Sequence, residues 1–269
     1  MSAGPPEAPA DGAVRWAAQP YRVQKAGNAP EEMEDACYPS RAASGATDSA
    51  AGARFAVADG ATEASFSGLW ASTLVRLHGR VGLAAETLLE GLPRWGRYWR
   101  RRVGGRALPW YAEEKLRSGA FAAFAGLRLC GAPAGAAGGS EGGLRWEAVA
   151  AGDSCLFQVR DDALVVAFPL DSAAAFGSRP ALISTEPAAN AGLAAHVRRA
   201  DGGCRAGDTF YLMTDALAAW FLGAVERGER PWQVLERATQ SAFGAWVDAA
   251  RRERHLRNDD VVLLRVVLR

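Results

Sequence analysis

Five places in this sequence set carboxylates where an apolar run stops and the backbone turns: Glu34-Asp35, Asp59-Gly60, Asp153, Asp215 and Asp259-Asp260. The stretch RFAVADGATEASFSGLW is the plainest case, an apolar run ending in Asp-Gly before small residues open a helix. A strand fixes its own end in space, so carboxylates at the ends of several strands can be brought to one point. Sharing that point, they repel and raise one another's pKa unless a cation sits among them. Hard divalent cations such as Mg²⁺ or Mn²⁺ take oxygen ligands and keep waters, which suits carboxylates with no His or Cys nearby. Any one cluster alone reads as a turn, since Asp and Gly are common turn residues. The combination favours a shared site, above all a DG and a TD that each end a strand just before a helix.

The elements that would position these groups follow from hydrophobic periodicity. Extended runs are expected at 14–23, 35–38, 54–58, 144–150, 155–160, 163–168, 208–213 and 261–268, with a turn-rich loop (KAGNAPEEME) over 25–34. Phe66, Leu69, Trp70, Leu74 and Leu77 have helical spacing over 65–78, and a second helical piece follows over 83–89. Proline and glycine bracket GLPRWGRYWRRRVGGRALP and break the pattern there. Further helices are expected over 110–129, with Leu116, Ala120, Phe124 and Leu127 on one face, and over 232–254, with Leu235, Ala238, Ala242 and Trp246. The segment GAPAGAAGGSEGG reads as a flexible loop and opens no helix, which excludes a dinucleotide site. The order strands, helices, strands, helix, strand predicts an α+β fold with antiparallel sheets. Residues 1–13 read as a disordered tail and 14–269 as one domain.

Composition narrows the partners. Hydrophobic residues are 49% and charged residues 23% of the 269, enough apolar mass for a sizeable core. A net charge of +1 recommends neither nucleic acid nor an anionic membrane. No apolar run approaches the roughly 20 residues of a membrane helix, and MSAGPPEAPADGA lacks the basic and apolar parts of a secretory signal. The cysteines (Cys37, Cys130, Cys155, Cys204) form no C-x-x-C pair and read as reduced thiols of a cytoplasmic protein.

Taken in order, EMEDA, VADGA, AAGDSCLF, LMTDAL and RNDDVVLL resemble the motif series of the metal-dependent protein phosphatases, the type-2C family. PWYAEEKLRSGAFA and NDDVVLL resemble its bacterial type-2C-like branch in particular. The series covers nearly the whole chain from residue 14, and its specificity lies in the ordered set. The resemblance implies an αββα sandwich, two antiparallel sheets flanked by helices, with a two-ion Mn²⁺ or Mg²⁺ site at one edge. It implies that Asp59 bridges both ions and that the Gly60 carbonyl completes one. Asp215 and Asp259 would bind the first, making Asp59, Asp215 and Asp259 the catalytic set. Glu34 and Asp35 would reach the second through waters, and Asp153 would match the ligand of a third, more labile ion. Asp260 stands where many members have asparagine. The activity implied is attack of an ion-activated water on the phosphate of a phosphoserine or phosphothreonine protein, with a cognate kinase as a further partner.

Three departures bear on that expectation. Many members carry a phosphate-gripping arginine four residues before the Glu-Asp pair, where this chain has Pro30. Lys25 on the same loop can take that role as a point charge, against the plain reading of a solvated surface lysine. Eukaryotic members follow DG with histidine, a general-acid candidate, where this chain has Ala61 and Thr62. Val262 replaces a usual threonine or serine. Two alternatives stay open: a phosphatase-like domain that binds a phosphoprotein or kinase without catalysis, and a phosphatase for small phosphorylated molecules.

Other residues carry less. His78, His196 and His255 fall in no metal or triad spacing, and Ser154-Cys155 lacks a G-x-S-x-G elbow. Residues 94–106 interleave Trp95, Tyr98 and Trp99 with six arginines. Such a mixture can bind single-stranded nucleic acid. The plainer reading caps the helical layer with aromatics inward and arginines in water; docking of a phosphoprotein is a third use.

Overall fold

The computed structural model describes residues 14–47, 52–61, 66–104, 118–131, 144–177 and 179–269. In its first half lie Arg15–Val23 (β1), Ala36–Tyr38 (β2), Ala43–Ala46 (β3), Ala53–Gly60 (β4), Ser67–Val81 (α1), Ala85–Val103 (α2) and Phe121–Gly131 (β5). Leu144–Ala151 (β6), Cys155–Arg160 (β7), Ala163–Phe168 (β8), Ile183–Ser184 (β9), Arg198–Cys204 (β10) and Thr209–Met213 (β11) follow. Asp215–Glu226 (α3), Trp232–Glu236 (α4), Gln240–Arg252 (α5) and Val261–Leu268 (β12) close the chain. One antiparallel sheet runs β3-β1-β12-β11-β7-β8, and the second runs β10-β6-β5-β4-β2 with β9 against the start of β5.

The period-2 alternation of side chains explains the layering. In β4, Phe55 and Val57 face a core shared with Leu156, Phe210, Leu212, Val262 and Leu264 of the other sheet. Their neighbours Ala56 and Ala58 face Trp70, Leu74, Leu88 and Trp99 of α1 and α2. On the far side, Tyr211, Met213, Val261 and Leu263 meet Leu217, Phe221, Leu235, Phe243 and Val247 of α3, α4 and α5. The result is the expected αββα sandwich. Central strands are apolar on both faces because both are covered.

That double burial misleads helix-period reasoning. The stretch expected to be a helix over 110–129 is, from Phe121, the central strand β5, paired with β4 and β6. Its small and apolar residues are required on both faces, so a helical stripe can be read into them; the preceding residues 105–117 lie outside those described. The expected break at Pro93 is absent, and α2 continues to Val103. Pro93 sits on the exposed face, where water can satisfy the Leu89 carbonyl that loses its partner. The single helix expected over 232–254 is divided into α4 and α5, with Thr239 capping the second through the Ala242 N–H. Strands β3, β9 and β10 carry too few apolar residues to announce themselves. The expected tail 1–13 and loop 132–143 lie outside the described residues. Among those described, no helix is long and apolar enough to cross a membrane.

Two glycines inside helices test this packing with opposite signs. A Cβ on Gly96 of α2 would stand 2.2 Å from the Thr185 carbonyl oxygen, whereas one on Gly244 of α5 would meet nothing within 4 Å. Alanine favours a helix over glycine by about 1 kcal/mol. We expect Gly244→Ala to raise the urea midpoint and Gly96→Ala to lower it, read by far-UV circular dichroism.

Candidate metal centre

The strand registers bring the distant carboxylates to one edge of the sandwich. β2 pairs Ala36 with Ala58 of β4, and one further step of that register sets Asp35 across from Asp59. β7 pairs Cys155 with Met213 of β11, so two further steps set Asp153 across from Asp215. β1 pairs Val23 with Val261 of β12, and two steps on Lys25 meets Asp259, with Nζ and Oδ1 3.8 Å apart. Asp215 also opens α3, where the helix dipole favours a carboxylate.

Hydrogen bonds lock the loops that carry these groups. Asp260 is buried, and its carboxylate accepts the Lys25 and Glu34 N–H groups, both at 2.7 Å, which clamps the two ends of the 25–34 loop. The guanidinium of Arg251 donates to the carbonyls of Gln24 (3.0 Å) and Asp259 (2.5 Å). The Val262 N–H donates to Thr214 Oγ1 at 2.9 Å, and the Thr214 hydroxyl in turn bonds the Asp35 carboxyl. Ser67 bonds the Glu34 carboxylate. The Glu34 backbone nests between two glycines: a Cβ on Gly60 would lie 2.8 Å from the Glu34 oxygen, and one on Gly68 3.0 Å from its Cα. Gly60 therefore permits the approach of Glu34 and of the start of α1, a packing reason beyond the expected use of its carbonyl.

Across the two sheets these carboxylates act on one another. Burial pushes the Asp59 carboxyl well above the usual carboxylate range, and Asp35, Asp215, Asp153 and Asp259 push it further. Burial likewise raises Asp35; the Thr214 hydroxyl opposes this, and Asp260, Asp215 and Asp259 add to it. Asp153 is raised to about 6, by burial first and by Asp215 second. Among the described residues, the cations in reach are Lys25, Arg251 and Arg257, the last 2.7 Å from Asp215 Oδ2. They are too few for this much buried negative charge.

The donor set fits hard divalent ions. Among the described residues, no three His, Cys, Asp or Glu side chains are gathered closely enough to enclose one ion alone. Carboxylates that feel each other's charge without forming a closed cage suit ions held by one or two of them plus waters, the habit of Mg²⁺. The Ser154 hydroxyl, buried without a hydrogen-bond partner in the structure, lies across from Thr214 if the β7–β11 register is continued. Sequence reasoning missed Ser67, Thr214, Arg251 and Arg257. Arg257 alone carried a signal, its place in RNDD beside the clustered acids. Of the residues set aside, His78 is buried and satisfied, its Nδ1 accepting the Leu83 N–H and its Nε2 meeting the Leu127 carbonyl.

Comparison with solved structures completes the picture. The serine/threonine phosphatase of S. agalactiae superposes with a TM-score of 0.53 at 13% identity, over 93% of this chain and 99% of that one. This is the fold of the type-2C protein phosphatases. PppA, a regulatory component of the T6SS in Pseudomonas aeruginosa, superposes with a TM-score of 0.52 at 18% identity, over 94% and 98%. No protein-family model and no curated protein sequence matches the chain. The likeness is one of fold, with similar chain length at both ends of the comparison.

Two measurements follow. Divalent ions that bind only the folded chain raise its melting temperature by mass action. We expect millimolar Mn²⁺ to do so for wild type, and Asp59→Asn to abolish the rise while melting higher than wild type in EDTA, because one repelling carboxylate is gone. The second concerns pH. The raised Asp153 pKa means the folded chain holds that proton more tightly, so its contribution is present below about pH 4 and lost as pH rises through about 6. In EDTA, the melting temperature of Asp153→Asn minus that of wild type should therefore grow between pH 4 and 7.

Proposed function

We propose that this chain is a cytoplasmic phosphoprotein phosphatase that hydrolyses phosphoserine and phosphothreonine esters with Mn²⁺ or Mg²⁺. One observation carries the reading: acids at five strand ends, far apart in sequence, lie near enough to one another on this fold for Asp35 and Asp59 to feel the charge of Asp153, Asp215, Asp259 and Asp260. Asp59, Asp215 and Asp259 are the acids that would serve one ion and Asp59, Glu34 and Asp35 a second, each ion taking one or two of them directly and the others through waters, with the Gly60 carbonyl completing one of the two. Asp153 would serve a third. Bound there, such ions supply Lewis-acid charge toward phosphoryl oxygens and make water a competent nucleophile at neutral pH.

The chain's own groups divide the remaining work. Thr214 orients the Asp35 carboxyl and Asp260 fixes the loop that presents Glu34, so neither acid must reorganise during turnover. Burial and the neighbouring acids raise the affinity of Asp35 and Asp59 for protons, so a divalent ion held there would compete with protons for these carboxyls. Lys25, beside Asp259, offers a point charge to a phosphate in place of the fork that Pro30 cannot supply. Arg257, about half exposed, can leave Asp215 and offer the bidentate fork itself. Ala61 leaves the position after Asp-Gly without a proton donor, which favours esters with acidic leaving groups.

The same Ala61 and Pro30 support a second reading, a regulatory domain that binds a phosphoprotein or its kinase without turnover. The two are separated by hydrolysis of para-nitrophenyl phosphate and of a phosphothreonine peptide. We expect Mn²⁺-dependent turnover, loss in EDTA, and a fall of at least about a hundredfold in kcat for Asp59→Asn. Mn²⁺ binding with no turnover of either substrate would establish the regulatory reading. Turnover confined to small phosphate esters would redirect the assignment to metabolite substrates.

A further inference from the structure

The C-terminal part of α2 is a basic surface that the metal centre does not use. From residue 91 to 103 it carries Arg94, Arg97, Arg100, Arg101 and Arg102 and no carboxylate. Leu92, Gly96, Trp99 and Val103 turn inward. Spacings of three and four residues set Arg94, Arg97 and Arg101 together along the opposite, exposed face. Among the described residues these three form no ion pair, whereas Arg100 is already paired with Glu186. Beside them a depression of about 460 Å³ is lined by Pro93, Arg97, Arg100, Arg101, Glu186 and Pro187.

Through its inward face, the C-terminal part of α2 touches the chain just before the residue that bonds Glu34. Trp99 Nε1 donates to the Phe66 carbonyl at 3.2 Å, and Phe66 immediately precedes Ser67, the residue bonded to Glu34. Like charges three and four residues apart on a helix repel, and together these guanidiniums concentrate positive potential on one face of α2. A phosphoprotein whose phosphorylated residue enters the metal centre must lay its flanking residues across the rim. Acidic flanks are drawn to α2 and repelled by the carboxylates, so the charge pattern orients the segment.

We propose that the exposed arginine face of α2 docks an acidic segment of the phosphoprotein substrate. The inference deepens the phosphatase reading and rests on it for the identity of the partner. Arg94 to Arg101 spans about 10 Å along the helix, the reach of about three extended residues. Single-stranded nucleic acid is the competing polyanion, and the aromatic residues argue against it. Trp99 is fully buried and Trp95 packs on the core, so among the described residues of the segment Tyr98 is a single exposed ring, short of the run of rings on which successive bases stack.

Binding can be read without catalysis, which keeps this test separate from the last one. The probes are fluorescein-labelled peptides of about eight residues, one glutamate-rich and one with glutamine at the same positions, and a labelled thymidine oligonucleotide. Fluorescence anisotropy should show binding of the glutamate peptide alone, lost in about 0.5 M salt. The triple change Arg94→Glu, Arg97→Glu, Arg101→Glu should weaken it by about tenfold or more, while Arg205→Glu, away from α2, should not. Circular dichroism checks that the triple variant is folded; should it unfold, the triple glutamine variant replaces it with the same loss expected. Equal binding of the glutamine peptide, indifference to the charge changes, or tighter binding of the oligonucleotide would each overturn the proposal.

Discussion

Buried negative charge at one edge of the sandwich is the constraint around which the rest of this molecule is arranged. Asp35 and Asp59 are recessed and surrounded by other acids, and both effects raise their pKa above the usual carboxylate range. Packing of this kind lowers stability locally, since desolvation and like charge act in the same direction. It persists because the carboxylates sit at the ends of strands whose interiors are fully buried on both faces. The cohesion of three apolar layers holds together what electrostatics alone would separate.

How the acids are held differs from one to the next, and the difference matters for their chemistry. Asp59 is fixed by its own strand. Glu34 is fixed by its backbone, wedged against Gly60 and Gly68, and its carboxylate is tethered by Ser67. Asp260 spends both oxygens on the backbone of the 25–34 loop and so acts as a clamp. Asp215 and Asp259 are the members that carry a cationic side chain, Arg257 and Lys25 respectively. These two pairings are the ones an arriving ion can displace without unpicking the backbone, and both displaced groups suit a phosphate.

Charge is also sorted over a longer range. A chain whose net charge is +1 presents a concentrated acidic edge and, across the contact between Trp99 and Phe66, a helix face dense in arginine. The near-zero total hides this separation, because composition sums over the whole surface while a partner meets one part of it. On the proposed reading, an acidic centre for cations and a basic helix face for anions would be complementary parts of a surface suited to phosphorylated chains.

The sequence by itself determined an α+β order with antiparallel strands and the roster of acids, and its family resemblance implied the layered sandwich. Short continuous apolar runs such as VVLLRVVL, and carboxylates placed where those runs stop, are local patterns legible without the fold. It misread residues 121–129 as helix, since a strand covered on both faces loses its alternation, and it divided α2 at a proline that the exposed face tolerates. Only the tertiary structure decided which acids oppose each other, that Asp260 clamps a loop, and that Thr214, Ser67, Arg251 and Arg257 belong to the same edge. Those relations depend on strand register and on sheets stacking face to face. They join residues some two hundred positions apart, where spacing along the chain carries no information about distance in space.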